Sequence, residues 1–423
     1  MAVEPLLPVE IAKGKILYAQ GMKAGRWVFA TGHLATDFER GVAPAVLNTR
    51  LPRHGRPKHE REAQLIFDRL QSVLAAGGSS LSSVVRLDQY YPTWKAVDPY
   101  HVVRRAAFGD YIPPSTSVLQ KGLLLPDADI EVQMLAIVPD GGLTVTPLRP
   151  SDVTVPPTSG FTPVVTAGDY VFVAGQMATD ARGIADEART SAGQLWGGTQ
   201  IKRETEYILR RRLEPALQAA KSSLASVVKA QVYMSDVDDF PAFNQVWGRH
   251  FPKDPPVTTL VPTKGFGRED GKIEINVLAL TDAARTRRQV IQTDVFTGYE
   301  NQSAAIKVGD LLLLSGLMAI DENGLVPDAE VDARQPHFGS SIQVQMDRIL
   351  DSASRICRAA GTSLENAVRI QQFHTDLREF YPAYQVWQRY LPGRPLPFSA
   401  VEVPSPMPVP GCTVILDLWV HAA

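Results

Sequence analysis

Two glutamates, Glu131 and Glu274, stand 143 residues apart in the same setting, each flanked by apolar residues in a stretch that alternates as a strand does. A carboxylate placed so could accept a proton from water and direct that water at a C=N or C=O carbon. The plainer alternative is an acid that faces solvent or pairs with a base. Asp417, in Leu416-Asp417-Leu418, is a shorter third acid at the same interval. Ahead of each acid lies an apolar run ending on a small residue and glycine: Thr31-Gly32, Ala174-Gly175 and Ser315-Gly316. Backbone N–H groups at such turns could hold a developing oxyanion, or the glycine could simply permit a tight strand end. Tyr18, His33 and His101 add polar groups to the first third, and a histidine can move protons near neutrality. Surface or helix packing explains either histidine, taken alone, at least as well. Neither belongs to a His-x-His or His-Glu-x-x-His pattern, and Cys357 and Cys412 lie far apart, so no metal site and no disulfide framework is expected. No glycine-rich nucleotide loop or Gly-x-Ser-x-Gly elbow occurs, and no cofactor is expected.

The elements that must position these residues recur three times. The glycines are 143 and 141 residues apart, and a Ser-Leu pair (Ser80, Ser223, Ser363) repeats at 143 and 140. A near-constant period at separate landmarks marks internal repeats. Each repeat reads as β-β-α-β-α-β-β, with helices expected over 58–76, 200–221 and 341–360, then 240–250 and 380–390 in the later units. The units are set at 1–145, 146–289 and 290–423. Prolines at 147, 150, 156 and 157 mark the first seam; the second lacks such punctuation.

With 44% hydrophobic and 21% charged residues, the 423-residue chain has an ordinary globular composition. Its net charge of −2 and scattered Lys and Arg give no basic face for nucleic acid. No apolar run is long enough to cross a bilayer, and the first nine residues do not read as a signal peptide. The expected setting is the cytoplasm.

These strings together resemble the reactive-intermediate deaminase (RidA/YjgF) family. Unit two carries Val228, Val232, Asp236, Phe240 and Asn244 in the family's register, with Gly175-Gln176 in the turn and Glu274 in the last strand. Unit one supplies Tyr18, Gln20, Gly21, Thr31-Gly32-His33 and Glu131; unit three supplies Ser315-Gly316, Asp376, Phe380 and Asp417. The resemblance implies a mixed α/β (α+β) fold, in which three tandem units close a pseudo-trimeric barrel with helices outside. It also implies active sites in the clefts between units. There the family uses an arginine to grip a substrate carboxylate; its expected counterparts are Ser115, Val257 and Phe398, none basic, and the family cysteine becomes Ser117, Thr259 and Ala400. Lys121 and Lys264 are candidates for a replacement charge or are solvated loop lysines. Asn244 matches the family asparagine, with His101 and Tyr384 in its place elsewhere.

Two readings follow. The first is a metal-independent hydrolase or deaminase acting on a small imine, enamine or amide-like metabolite, neutral or differently anchored because the arginine is gone. A step in the breakdown of a ring-derived compound fits by analogy. Its catalytic candidates are Glu131, Glu274, His101 and Tyr18. Substrate contacts would come from Thr31, Gly32, His33, Gly175, Gln176, Asn244, Ser315, Gly316 and Ser115. The second is a non-catalytic small-molecule binder or scaffold. Ribonuclease activity is disfavoured by the absent basic surface. Whether closed rings pair further is left open.

Overall fold

The computed structural model describes residues 3–47, 55–139, 143–191, 199–332, 334–335 and 338–423. It is a mixed α/β structure with three large sheets, one built mainly from each repeat. In the first, the strands run in the order Glu4–Ile11, Ile16–Ala24, Trp27–His33, Glu131–Ile137, Val84–Tyr91, Ser115–Leu119. The second and third repeat this order with Ile273–Leu280 and Val414–His421 in the central place of Glu131–Ile137. Neighbours are antiparallel except the last pair, where Val84–Tyr91 and Ser115–Leu119 run parallel across the helix Val97–Phe108. Parallel strands require such a crossover.

Each unit opens with one strand more than the sequence pattern shows: Glu4–Ile11, Val145–Leu148 and Arg288–Val290. The second contains Pro147 within the proline-rich seam. Proline is tolerated there because the strand is the outermost of its sheet.

The helices Lys58–Ala76 and Ser341–Ala359 bury one stripe each, such as Ile66, Phe67, Leu70, Val73 and Leu74, against one face of their sheets. The central strands are buried along their whole length, because the other face meets the neighbouring units. One apolar cluster there draws Trp27 and Leu135 from unit one, Phe172 and Leu278 from unit two, and Leu313 and Trp419 from unit three.

Beside that cluster the three sheets share a buried polar network. Tyr90 and Tyr233 share a hydroxyl hydrogen bond of 2.9 Å. Gln371 donates to Gln133 (3.0 Å) and to Tyr90 (2.9 Å), and Gln231 donates to Gln371 (2.6 Å). The basic residues that follow each Ser-Leu pair by a few positions converge here: Arg86 and Arg369 both pair with Asp88 at 2.9 Å, and Lys229 pairs with Asp417 at 2.9 Å. Burial alone would push the Asp417 carboxyl up, but Lys229 and Arg369 hold it below the usual range. These bonds tie the units to one another.

The pairing register corrects two sequence equivalences. Tyr90 lies opposite Glu131 and Tyr233 opposite Glu274, but their counterpart Phe373 lies opposite Ile415. Asp417 faces Gln371, as Gln133 faces Asp88 and Asn276 faces Gln231. Asp417 is therefore not the third copy of the glutamate. A shift of two keeps a residue on the same face of a strand, so an acid two positions on looks equivalent in sequence. In unit two, Ala230 pairs with Thr258 where Leu87 pairs with Ser115 and Ile370 with Phe398, so Thr258, not Val257, is the counterpart of Ser115. None of the three is basic.

Candidate active site

Three comparable grooves lie between units. In each, the turn glycine packs against one residue of its own central strand and one residue of another unit's edge strand. A Cβ added to Gly32 would fall 2.6 Å from Glu131 Oε1 and 2.8 Å from Ser399 Cβ. One added to Gly175 would meet the Glu274 carboxylate and lie 3.1 Å from Thr116 Oγ1; at Gly316 the neighbours are Ile415 and Thr259, both at 3.1 Å. The contacts thus run from unit one to unit three, unit two to unit one, and unit three to unit two.

The first groove opens into a cavity of about 260 Å3, lined by Tyr18, Gly32, His33 and Glu131 on one side and by Phe398, Ser399 and Ala400 on the other. Pairing between Trp27–His33 and Glu131–Ile137 breaks register between Ala30 and His33, which takes Gly32 out of the ladder beside the carboxyl. Ser399 Oγ lies 2.5 Å from Glu131 Oε1, and Gln133 donates to the same oxygen at 3.4 Å. Burial pushes the Glu131 carboxyl up to about 7, the bonds from Ser399 and Gln133 pulling the other way. Near neutrality it can both give and take a proton.

Tyr18 packs its ring against Phe398, centroids 5.0 Å apart. Its hydroxyl donates to Gly32 O at 2.9 Å and accepts from Thr31 Oγ1 at 3.0 Å. Burial raises the phenol above its ordinary range, so it stays protonated and fixes the turn. His33 Nε2 lies 2.8 Å from Gln20 O, an acceptor, so the ring nitrogen there carries the proton. Burial lowers this imidazole to about 4 and keeps it neutral, with Nδ1 as an acceptor. Sequence reasoning passed over Arg69, whose guanidinium lies 4.7 Å from the centre of the Phe38 ring and donates to Leu34 O. Its spacing within the helix was visible; its approach to the cavity wall depends on the loop after Gly32.

The second groove holds Glu274, pushed up to about 8 by burial and by the nearby Asp88 carboxylate. Asn276 donates to Thr116 Oγ1 across the boundary at 3.0 Å. Gln176 is engaged by Arg212 Nε (3.0 Å) and donates back to Ala174 O. Ser115 accepts from Arg104 Nη1 at 3.0 Å, a guanidinium from the helix Val97–Phe108. His101 lies on that helix near Arg104 and Arg105, held at about 3 chiefly by burial; it does not line the Glu131 cavity. The structure therefore separates His101 and Ser115 from Tyr18, Thr31, Gly32, His33 and Glu131, which it brings together.

The third groove carries no carboxylate in the glutamate's place. Ser315 Oγ donates to Ser303 O (2.7 Å) and accepts from Thr258 N (2.9 Å), and Gly316 N donates to Thr258 O (3.0 Å). Both residues are occupied in joining units. Asn244 lies at another junction, accepting from Asn301 Nδ2 at 3.2 Å. Lys121 pairs with Glu402 at 2.6 Å, and Lys264 donates to Pro92 O. Among the described residues no group of three His, Cys, Asp or Glu is placed to hold a metal, and no helix is long and apolar enough to cross a membrane.

The model of the family described as Endoribonuclease L-PSP matches three times, at residues 12–138, 153–281 and 293–414. The chain belongs to this family, the RidA/YjgF proteins, in three tandem copies. A RutC family protein of Pyrococcus horikoshii is 29% identical over 123 residues, covering 29% of this chain and 88% of that protein. The 3-aminoacrylate deaminase RutC of Acinetobacter baylyi is 28% identical over 126 residues, covering 30% of this chain and 90% of its own. Among solved structures, a chorismatase aligns over 80% of this chain and 93% of its own at 13% identity, with a TM-score of 0.49. Against the single-copy RidA/YjgF relatives, each groove here joins two different units, so the three can diverge.

Proposed function

We propose that the chain is a deaminase or related hydrolase of C–N bonds, working in the groove between units one and three. The carrying observation is Glu131, a carboxyl poised near 7 on the wall of a cavity beside an unpaired glycine turn. The cyclic order of the inter-unit contacts supports a ring of three units that closes within one chain, with helices outside. Deamination is further supported by the Acinetobacter relative, a 3-aminoacrylate deaminase.

In this reading protonated Glu131 delivers its proton to the enamine carbon or imine nitrogen. The carboxylate left behind takes a proton from water as the water oxygen bonds to the C=N carbon. Collapse of the resulting carbinolamine breaks the C–N bond: the proton on Glu131 passes to the leaving nitrogen, the carbinolamine hydroxyl returns its proton to the Glu131 carboxylate as the C=O forms, and ammonia is released. Tyr18 holds the Gly32 peptide for the developing oxygen. The described lining contains no Lys or Arg and is largely apolar, including Leu124, Leu125, Phe38 and Phe398. It suits a neutral substrate with an apolar or ring-bearing body.

The test is ammonia release from a panel of neutral imines, enamines and cyclic amides, with Glu131→Gln beside the parent. Loss of about 10²- to 10⁴-fold is expected for an essential general acid–base. A second reading, a non-catalytic binder, is favoured by the third groove, where Ile415 replaces the acid. It prevails if the parent releases no ammonia while the same compounds raise the melting temperature of parent and variant equally.

A further inference from the structure

The first helix of each unit carries a buried polar residue near its start that accepts backbone N–H groups from the approach to the central strand. Glu62 accepts from Asp129 and Ile130, Glu204 from Lys272, and Gln345 from Thr413. These three are counterparts. Arg69 follows Glu62 by seven residues and reaches Leu34 O; Arg212 follows Glu204 by eight and reaches Gln176. Unit two thus holds one extra residue, and its helix absorbs it as a π turn over Ile208–Leu213, where units one and three run as plain α-helices. Single π turns of this kind arise from insertions and gather at functional sites. Here the insertion falls in the run Arg210-Arg211-Arg212.

Beside that turn lies a surface groove of about 480 Å3 with Lys202, Arg203, Arg210, Arg211, Arg249 and His250 around it, against only Glu187 and Glu206. Arg210, Arg211 and Arg249 are 63%, 61% and 69% exposed, and the three share those two carboxylates. Positive charge is in excess. Unit three has a groove of about 400 Å3 in the matching place, between its first helix and the short turn before it, with the opposite sign. Asp321, Asp328, Asp347 and Asp351 line it with Arg348; Arg389 and Arg355 pair with Asp347 and Asp351 at 3.7 Å, and among the described residues no cation lies within ion-pair reach of Asp321 or Asp328.

We infer that copies of this chain associate through these two surfaces, the basic groove of unit two on one copy meeting the acidic groove of unit three on another. Opposed patches steer and register such contacts. The formal net charge of −2 sets little overall repulsion against them. A contact of this kind joins different surfaces, so it either closes about a symmetry axis or grows by addition.

Sedimentation velocity and light scattering on the full chain, at about 50 mM and about 1 M salt, test this, since the screening length falls from over 10 Å to about 3 Å. The parent should exceed monomer mass at low salt and return to monomer at high salt. Arg210→Glu with Arg211→Glu makes both grooves acidic; Asp347→Lys with Asp351→Lys makes both basic. Each double variant alone should be monomeric at low salt, and an equimolar mixture should regain the higher mass. A parent that is monomeric at low salt overturns the inference. So does a mass that neither variant changes, or a mixture that stays monomeric while the basic groove alone captures an added polyanion such as polyphosphate.

Discussion

Replacing Glu131 by glutamine should remove a pH dependence that the parent's stability owes to that one carboxyl. The folded carboxyl is raised from 4.5 to about 7, chiefly by burial. Below pH 4.5 both folded and unfolded chains hold the proton, and the group leaves stability unchanged. Between 4.5 and about 7 the unfolded chain releases it while the folded chain retains it, so stability falls as pH rises and levels off above 7. The difference corresponds to about 3 kcal/mol. Glutamine copies the protonated acid in shape and can still accept from Ser399 and Gln133 through its carbonyl, so Glu131→Gln should match the parent at pH 4 and exceed it by about 3 kcal/mol at pH 8. Urea unfolding followed by the fluorescence of buried Trp27 and Trp419 at pH 4, 6 and 8 reads this out. Glu274→Gln provides a second window: its carboxyl is raised to about 8, so the gain should continue to that pH and reach about 5 kcal/mol. If parent and Glu131→Gln lose stability in parallel across this range, the carboxyl is ionised in the folded chain and the acid–base reasoning fails.

Other substitutions separate the grooves. Gly32→Ala, whose Cβ would press on Glu131 Oε1, should abolish ammonia release, whereas Gly316→Ala, whose Cβ would press on Ile415 and Thr259 at 3.1 Å in a groove without the glutamate, should leave the rate near the parent's and lower the melting temperature. Ser399→Ala removes a hydrogen bond that pulls Glu131 downward, so the alkaline limb of the pH–rate profile should move to higher pH. Arg369→Met leaves Asp88 and Asp417 each short of a cation in the buried network and should destabilise by about 3–5 kcal/mol in urea unfolding.

The repeats and the helices were legible because their signals are local or strictly periodic. Spacing places helices over 240–250 and 380–390, and the structure has them at Phe240–His250 and Phe380–Tyr390. The first-helix expectation 58–76 matches Lys58–Ala76, and 341–360 ends one residue earlier at Ala359. Register was less legible. Asp417 and Ile415 lie on one face of the same strand, and only the cross-strand partners decide which is the glutamate's counterpart. The prolines that suggested a seam include one inside an outer strand, Val145–Leu148. His101 was grouped with Tyr18 because both belong to unit one; its helix turns it toward Arg104, away from the cavity that unit three completes. The opposite charges of the unit-two and unit-three grooves were in the sequence too. Their meaning depends on which residues share a helix face after a π turn, and linear spacing does not show that turn.

A crystal structure of the full chain soaked with a neutral, slowly reacting cyclic enamide would show directly whether substrate sits beside Glu131. Ligand density is expected between Gly32, Glu131 and Ser399, with a polar atom of the ligand at hydrogen-bond distance from the Glu131 carboxyl. Density only at another groove, or a cavity left open while the ligand binds elsewhere, would contradict it.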